Sequence, residues 1–124
     1  MRLPIQYALT FPDRVAPPVK PFDFMNHGSW TFEKADRETF RNLDIAFKAM
    51  TEGGNLPCMM NGANEIAVAE FLKGNLPFLS MPDVIEETMS RCTRLNTPTF
   101  EDYFETDKEA RRIAREYIGS FTKR

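Results

Sequence analysis

The sequence predicts a mainly α-helical protein, with a small four-helix bundle preceded by an isolated helix and an extended linker rich in proline and aromatic residues. Four segments after residue 35 place apolar residues three and four positions apart, which is the helical period. Glycines and potential cap residues separate these segments. Prolines gather earlier, at Pro12, Pro17, Pro18 and Pro21, where they remove backbone donors and favour extended chain.

The first predicted element is a short amphipathic helix over residues 1–11. Leu3, Tyr7 and Phe11 recur at helical spacing, and Pro4 fits the first turn, where N–H groups have no intrahelical partner. A lone helix before a linker has no neighbour to cover its apolar side. We therefore expect that a neighbour of this helix is missing.

Residues 12–35 form the predicted linker, which carries more apolar surface than a solvated tether. Phe22 and Phe24 lie in its middle, and Trp30 and Phe32 alternate as in a strand. We expect this segment to be strapped onto a folded surface.

Residues 36–124 form the predicted bundle, which begins with a helix capped by Asp36 and ended by Gly53 and Gly54. Its apolar stripe consists of Phe40, Leu43, Phe47 and Met50. The second helix is predicted to start at the cap Asn61 and to stop at Gly74. It is apolar nearly all round, so we expect a central position.

The third and fourth helices are predicted from capping-box patterns. Ser80 with Asp83 precedes one buried stripe, and Thr106 with Glu109 precedes the other, which Gly119 ends. The stripes comprise Val84, Ile85, Met89 and Cys92 in the third helix, and Ala110, Ile113, Ala114, Tyr117 and Ile118 in the fourth.

Composition excludes several classes of function. The 124 residues suffice for one modest core, and the 16 basic and 18 acidic side chains give a net charge of −2, which argues against nucleic acid or an anionic membrane as partner. No run of about 18 apolar residues or signal peptide is present. Cys58 and Cys92 are too few for a disulfide framework, so we expect reduced, buried thiols and a cytoplasmic location.

Candidate catalytic or ligand residues each have a simpler structural interpretation, which we favour. His27 has no acidic or thiol partner at triad or metal-ligand spacing. Glycines 53 and 54 end a helix instead of opening one after a strand, the wrong context for a dinucleotide turn. The acidic pairs are typical of solvated helix faces and the arginines suit a helix C-terminus; these residues are Glu86, Glu87, Glu101, Asp102, Glu105, Arg111, Arg112 and Arg115. We therefore predict no catalytic residue and no metal or cofactor site within the chain.

One segment resembles a signature of the 1-deoxy-D-xylulose 5-phosphate reductoisomerase family. Asn61, Gly62, Ala63, Asn64 and Glu65 match a motif that usually reads Asn-Ala-Ala-Asn-Glu, with Gly62 in place of alanine. The resemblance covers essentially the whole chain. Further matches in order are Met1, Arg2, Pro4 and Ile5, then Pro12, Arg14 and Val15, then Phe22, Asp23 and Phe24, and then Thr31, Phe32 and Glu33.

The resemblance implies the C-terminal portion of an enzyme with an N-terminal NADPH-binding domain and a central, dimer-forming catalytic domain. Such enzymes use NADPH and Mg²⁺ or Mn²⁺ to isomerise and reduce 1-deoxy-D-xylulose 5-phosphate. The family's ligands for both cofactors correspond to positions before Met1, and Met1 itself matches a segment close to the active site. We expect Asn61, Asn64 and Glu65 to cap and to bond nearby backbone groups in a bracing role, and the chain alone to be inactive.

Two other interpretations remain open at this stage. A stand-alone helical protein-interaction module would bury the first helix and the linker aromatics internally, whereas a fragment would leave them without partners. An enzyme complete in itself would turn over substrate without any preceding residue.

Overall fold

The computed structural model describes residues 1–17 and 19–121; Pro18 of the predicted linker and residues 122–124 of the predicted bundle lie outside the described residues. Across the described part the protein is all-helical, with five α-helices and no strand, which confirms the predicted fold class. The helices are α1 (Arg2–Thr10), α2 (Arg41–Glu52), α3 (Leu56–Leu72), α4 (Met81–Arg91) and α5 (Phe100–Phe121). Short 3₁₀ turns occupy Phe24–Asn26 and Phe78–Ser80. The chain divides into two compact units, Met1–Lys34 and Ala35–Arg124.

The first unit contains α1 and the proline-rich segment after it. No residue of α1 is buried. The following segment folds back through Gln6, whose Nε2 donates to the carbonyl of Ala16 at 2.8 Å, and through the Arg14 guanidinium, 4.6 Å from the centre of the Tyr7 ring. These polar and ring contacts hold the unit together in place of an apolar core.

The strand-like alternation of Trp30 and Phe32 was a wrong prediction, since neither residue lies in a strand. Both side chains are exposed, and the Trp30 indole N–H donates to the carbonyl of His27 at 3.1 Å. A strand needs a neighbouring strand for its backbone hydrogen bonds, and the first unit offers none.

The second unit is a bundle in which α3 contacts α2, α4 and α5. Its centre is formed by small and branched side chains of α3, α4 and α5 that are fully buried, such as Ala63, Ala67, Val84 and Ala114. Alanines at the helix contacts let the backbones approach closely, while Met59 and Ile85 fill the remaining space. The second predicted bundle helix corresponds to α3, and its predicted central position is confirmed.

The predicted stripe of α2 faces away from this core. The buried residues of α2 are Ile45 and Ala49. At 100° per residue they lie on the opposite side of the helix from Phe40, Leu43, Phe47 and Met50, which are exposed. The helix has two apolar sides, and the bundle covers the smaller one.

Three predicted helix starts were also wrong. Asp36 accepts from the backbone N–H groups of Glu38 and Thr39 in a turn that precedes α2, whereas Asn61 and Thr106 lie inside α3 and α5. The cap of α5 is Thr99, which exchanges hydrogen bonds with Asp102 at 2.8 and 3.2 Å. Asp102, at the third position of α5, thus replaces the glutamate of the usual capping box.

The predicted third and fourth bundle helices, which correspond to α4 and α5, also differ in detail from the structure. Ser80 occupies the N-cap position of α4, but its side chain makes no cap hydrogen bond. Asp83 instead accepts from Arg41 of α2 at 2.9 Å. Gly119 does not end α5, which continues to Phe121.

Asn55, a fully buried residue between α2 and α3, ties together the loops at one end of the bundle. Its Nδ2 donates to the Thr93 carbonyl at 2.9 Å and to the Thr106 hydroxyl at 3.0 Å. Its Oδ1 accepts from the Leu95 N–H at 2.9 Å. Gly54 makes this approach possible, because a Cβ there would overlap the Leu95 carbonyl oxygen.

We expect Asn55→Ala to lower the free energy of unfolding by about 2–4 kcal/mol, because it leaves buried donors and acceptors without partners. Urea denaturation followed by circular dichroism measures the change. The control is Asn75→Ala, which removes one exposed hydrogen bond to Glu70. If both substitutions lowered the free energy of unfolding equally, burial of the Asn55 hydrogen bonds would not explain the effect.

Thr88 and Thr106 form a second matched pair of buried helix threonines. The Thr88 hydroxyl has no hydrogen-bond partner among residues 1–17 and 19–121, whereas the Thr106 hydroxyl accepts from Asn55. We expect Thr88→Val to stabilise the bundle by about 1 kcal/mol and Thr106→Val to destabilise it by about 1–2 kcal/mol. Thermal denaturation of both variants checks the opposite signs.

Candidate functional site

The signature residues lie on the outer side of α3. Asn61 and Glu65 are exposed one turn apart, and Asn61 Nδ2 donates to Glu65 Oε1 at 3.2 Å. Asn64 is half-buried, and its side chain makes no hydrogen bond with the described residues. The predicted capping role of Asn61 is therefore wrong, because α3 begins five residues earlier, at Leu56 with Pro57 in the first turn.

Arg111 on α5 connects this signature to the neighbouring helix. Its Nη2 donates to Glu65 Oε2 at 2.6 Å and its Nε donates to Asp107 Oδ2 at 2.7 Å. The hydrogen bond from Arg111 lowers the pKa of Glu65, and those from the guanidinium to Asp107 and Glu65 raise the pKa of Arg111. We call Asn61, Glu65, Arg111 and Asp107 the α3–α5 network.

Gly62 sets how closely the two helices meet beneath this network. A Cβ at this position would lie 3.1 Å from Asp107 Oδ1 and 3.3 Å from Ala110 Cβ. Both separations are tighter than ordinary packing, so Asp107 and Ala110 would have to move by a few tenths of an ångström to admit an alanine here. Gly62 is therefore the point on α3 where the α5 residues beneath the network pack closely against the helix.

Two of the three arginines that the sequence singled out on α5 are engaged in ion pairs. Arg111 is shared by two carboxylates, and Arg112 donates to Glu116 at 2.8 Å. Arg115 is exposed. The predicted place of these arginines at a helix C-terminus is wrong, because α5 runs to Phe121 and has no basic residue in its last turn. The charges of Arg111 and Arg112 are instead matched by carboxylates of α3 and α5.

His27 belongs to an aromatic cluster in the first unit. Its ring stacks on Phe22 with centroids 4.9 Å apart, and Phe22 also contacts Phe24 and Trp30 edge-on. The cluster is open to solvent, since each of its three other members is at least 49% exposed. Stacking occupies one face of the imidazole, in keeping with the structural interpretation of this histidine.

The paired acidic residues make structural contacts. Glu86 pairs with Arg41 at 2.6 Å, Glu87 accepts from Arg91 at 2.6 Å, and Glu105 pairs with Lys108 at 2.6 Å. No group of three histidine, cysteine or acidic residues among residues 1–17 and 19–121 is placed to hold a metal ion.

Both cysteines are free thiols with depressed reactivity. Burial raises the pKa of Cys92 to about 11 and also raises the pKa of Cys58. The Cys58 thiol donates to the Tyr103 carbonyl at 3.4 Å. A thiol that stays protonated is a poor nucleophile, which argues for a packing role.

Large apolar side chains remain exposed on both units. In the first unit α1 exposes Leu9 and Phe11, at 82% and 71%. In the second, Phe100 and Phe104 meet edge-on beside a hollow of about 340 Å³ that Tyr103 and Asp107 also line. None of the described helices is long and apolar enough to cross a membrane. Exposed apolar surface of this kind is typical of an interface.

The profile of one protein family, described as DXP reductoisomerase C-terminal domain, matches residues 1–113. The chain belongs to this family. A 1-deoxy-D-xylulose 5-phosphate reductoisomerase of Bacteroides fragilis is 52% identical over 118 residues, which are 95% of this chain and 30% of that protein. One from Clostridium botulinum is 43% identical over 119 residues, 96% of this chain and 30% of that protein.

Solved structures of family members agree with the fold. The Zymomonas mobilis reductoisomerase in complex with NADPH is 38% identical, with a TM-score of 0.81 over 94% of this chain and 31% of that one. A reductoisomerase in complex with magnesium is 28% identical, with a TM-score of 0.82 over 97% of this chain and 32% of that one. The chain therefore spans about a third or less of the length of the relatives it matches, and the resemblance of its motifs to this family is confirmed.

We expect Glu65→Gln to reduce the pH dependence of bundle stability. The pKa of Glu65 is lower in the folded than in the unfolded protein, so its contribution is present above the unfolded pKa and disappears as pH falls through the folded pKa. Urea titrations between about pH 6 and pH 3 should show a shallower acid loss in the variant. Glu101→Gln is the control, because Glu101 makes no ion pair with a described residue; an equal effect of both substitutions would exclude the network as the cause.

Proposed function

We propose that the chain is the C-terminal part of an enzyme that isomerises and reduces 1-deoxy-D-xylulose 5-phosphate to 2-C-methyl-D-erythritol 4-phosphate with NADPH, a step in isoprenoid precursor synthesis. The observation that carries this proposal is the family match over residues 1–113, in a chain that spans 30% of the Bacteroides fragilis relative. By itself the chain is inactive, because the cofactor and substrate sites lie in the part that precedes it.

The proposed domain assignment follows the same logic. Residues 1–11 are the last helix of the catalytic domain, residues 12–35 are the linker and residues 36–124 are the C-terminal bundle. The lack of any buried residue in α1 supports the first assignment, since a nine-residue helix is marginal in water without tertiary packing. In the complete homodimeric enzyme the bundle braces the catalytic domain.

The proposed cofactors are NADPH and Mg²⁺ or Mn²⁺, bound upstream of Met1. Related reductoisomerase structures hold NADPH and magnesium. The residues of this chain do not fit the metal, since no ligand triad converges in its described part and the acidic pairs serve ion pairs and caps. Met1, the N-cap of α1, is the residue proposed to lie nearest the active site. The two free thiols suit the reducing cytoplasm, where we place the enzyme.

The alternative is a stand-alone interaction module, and the core of Ala35–Arg124 is the observation in its favour, because that unit packs without help. Such a module would bury α1 and the linker aromatics internally. Phe11, Phe22 and Phe24 are instead 71%, 49% and 77% exposed. This exposure favours a part of a larger enzyme.

A chimera tests the proposal directly. The matching C-terminal part of the Bacteroides fragilis enzyme is replaced with residues 1–124, and NADPH oxidation is followed with 1-deoxy-D-xylulose 5-phosphate and Mg²⁺. We expect turnover by the chimera, none by the isolated chain, and none by the truncated relative. A folded but inactive chimera, or substrate-dependent NADPH oxidation by the isolated chain, would contradict the proposal.

A further inference from the structure

The outward side of α2 carries a continuous apolar stripe. Phe40, Leu43, Phe47 and Met50 follow one another at spacings of three, four and three residues, so they line one side of the helix. They are 63%, 36%, 42% and 67% exposed. We call these four residues the α2 face.

Ion pairs at both ends of α2 hold the helix with this face outward. At its N-terminal end Arg41 donates to Asp83 at 2.9 Å and to Glu86 at 2.6 Å, both on α4. At its C-terminal end Glu52 accepts from Arg94 at 2.6 Å. Rotating the helix to bury the α2 face would break these ion pairs and would expose the buried Ala49. Contacts within the bundle therefore fix the orientation of α2, with the α2 face outward.

The composition of the α2 face is that of an interface centre. The Arg37 guanidinium lies 4.7 Å from the centre of the Phe47 ring and pairs with Asp44, so its charge is neutralised beside the apolar stripe. Phenylalanine, methionine and arginine are enriched where proteins bind one another, and lysine and glutamate are depleted there.

The extent of the α2 face decides between its possible occupants. Large side chains offer about 200 Å² each, so four of them at these exposures leave on the order of 400 Å² of apolar surface in water. A stable dimer buries about 800 Å² on each partner, which makes a second copy a poor occupant. A segment joined to the bundle by the same backbone needs less area, because the link keeps its effective concentration high.

We propose that the α2 face docks against an apolar surface on the upstream part of the same reductoisomerase chain. More than two thirds of the Bacteroides fragilis relative lies outside the matched region, and the matched family is a C-terminal domain, so that remainder precedes the bundle. This inference rests on the proposed function and adds to it which face of the bundle contacts the rest of the enzyme. α2 is thus a two-sided helix that joins the bundle on one side and the rest of the enzyme on the other.

Thiol labelling measures the docking. Met50→Cys places a probe on the α2 face, and Lys108→Cys places a control probe on an exposed position of α5. Each variant is made in the isolated chain and in the chimera with the Bacteroides fragilis upstream part. Iodoacetamide modification is followed peptide by peptide by mass spectrometry, so that native cysteines are read separately.

We expect Met50→Cys to react at least about tenfold more slowly in the chimera than in the isolated chain, and Lys108→Cys to react at similar rates in both. Equal labelling of Met50→Cys in a chimera that turns over substrate would overturn the docking while leaving the proposed function intact. Protection that appears in the isolated chain and grows with its concentration would assign the face to a second copy and would also overturn it. An inactive chimera would instead contradict the proposed function.

Discussion

The buried side chain of Asn55 is the interaction on which the arrangement of the bundle depends. It bonds to two backbone groups of the loop before α5 and to one hydroxyl inside α5, so three chain segments meet at one amide. A buried amide is tolerated only when its hydrogen bonds are made, which means that wrong loop placements are disfavoured. Gly53 and Gly54 adopt positive φ just before it, and this turns the chain from α2 into α3 within two residues. Asn55 thereby couples the position of α2 to that of α5.

A second feature of the fold is that the helices differ in how many of their residues are buried. α3 buries six residues and lies among its neighbours, whereas α1 buries none and α2 buries two. A protein that functioned alone would gain free energy by covering such surface. The distribution is consistent with a chain that spans 30% of its Bacteroides fragilis relative.

The existence and order of the helices followed from apolar spacing, but the starts of α2, α3 and α5 did not. Asp36, Asn61 and Thr106 all have the chemistry of caps, and only tertiary packing shows that the first closes a turn and the other two lie within helices. The stripe of α2 was assigned to the core because spacing identifies an apolar side without saying what covers it. The signature positions Asn61 and Glu65 were identified by resemblance. Their partners Arg111 and Asp107 depend on how α3 crosses α5, which a local pattern does not contain.

The protonated state of Cys92 has a consequence for how the protein endures oxidants. With a pKa of about 11, the thiolate is present in about one molecule in ten thousand at pH 7. Peroxides attack the thiolate, and a sulfenic or sulfinic acid at this buried position would force polar oxygens between α3 and α5. The burial of Cys92 between the helices of the bundle therefore also slows oxidation of its thiol.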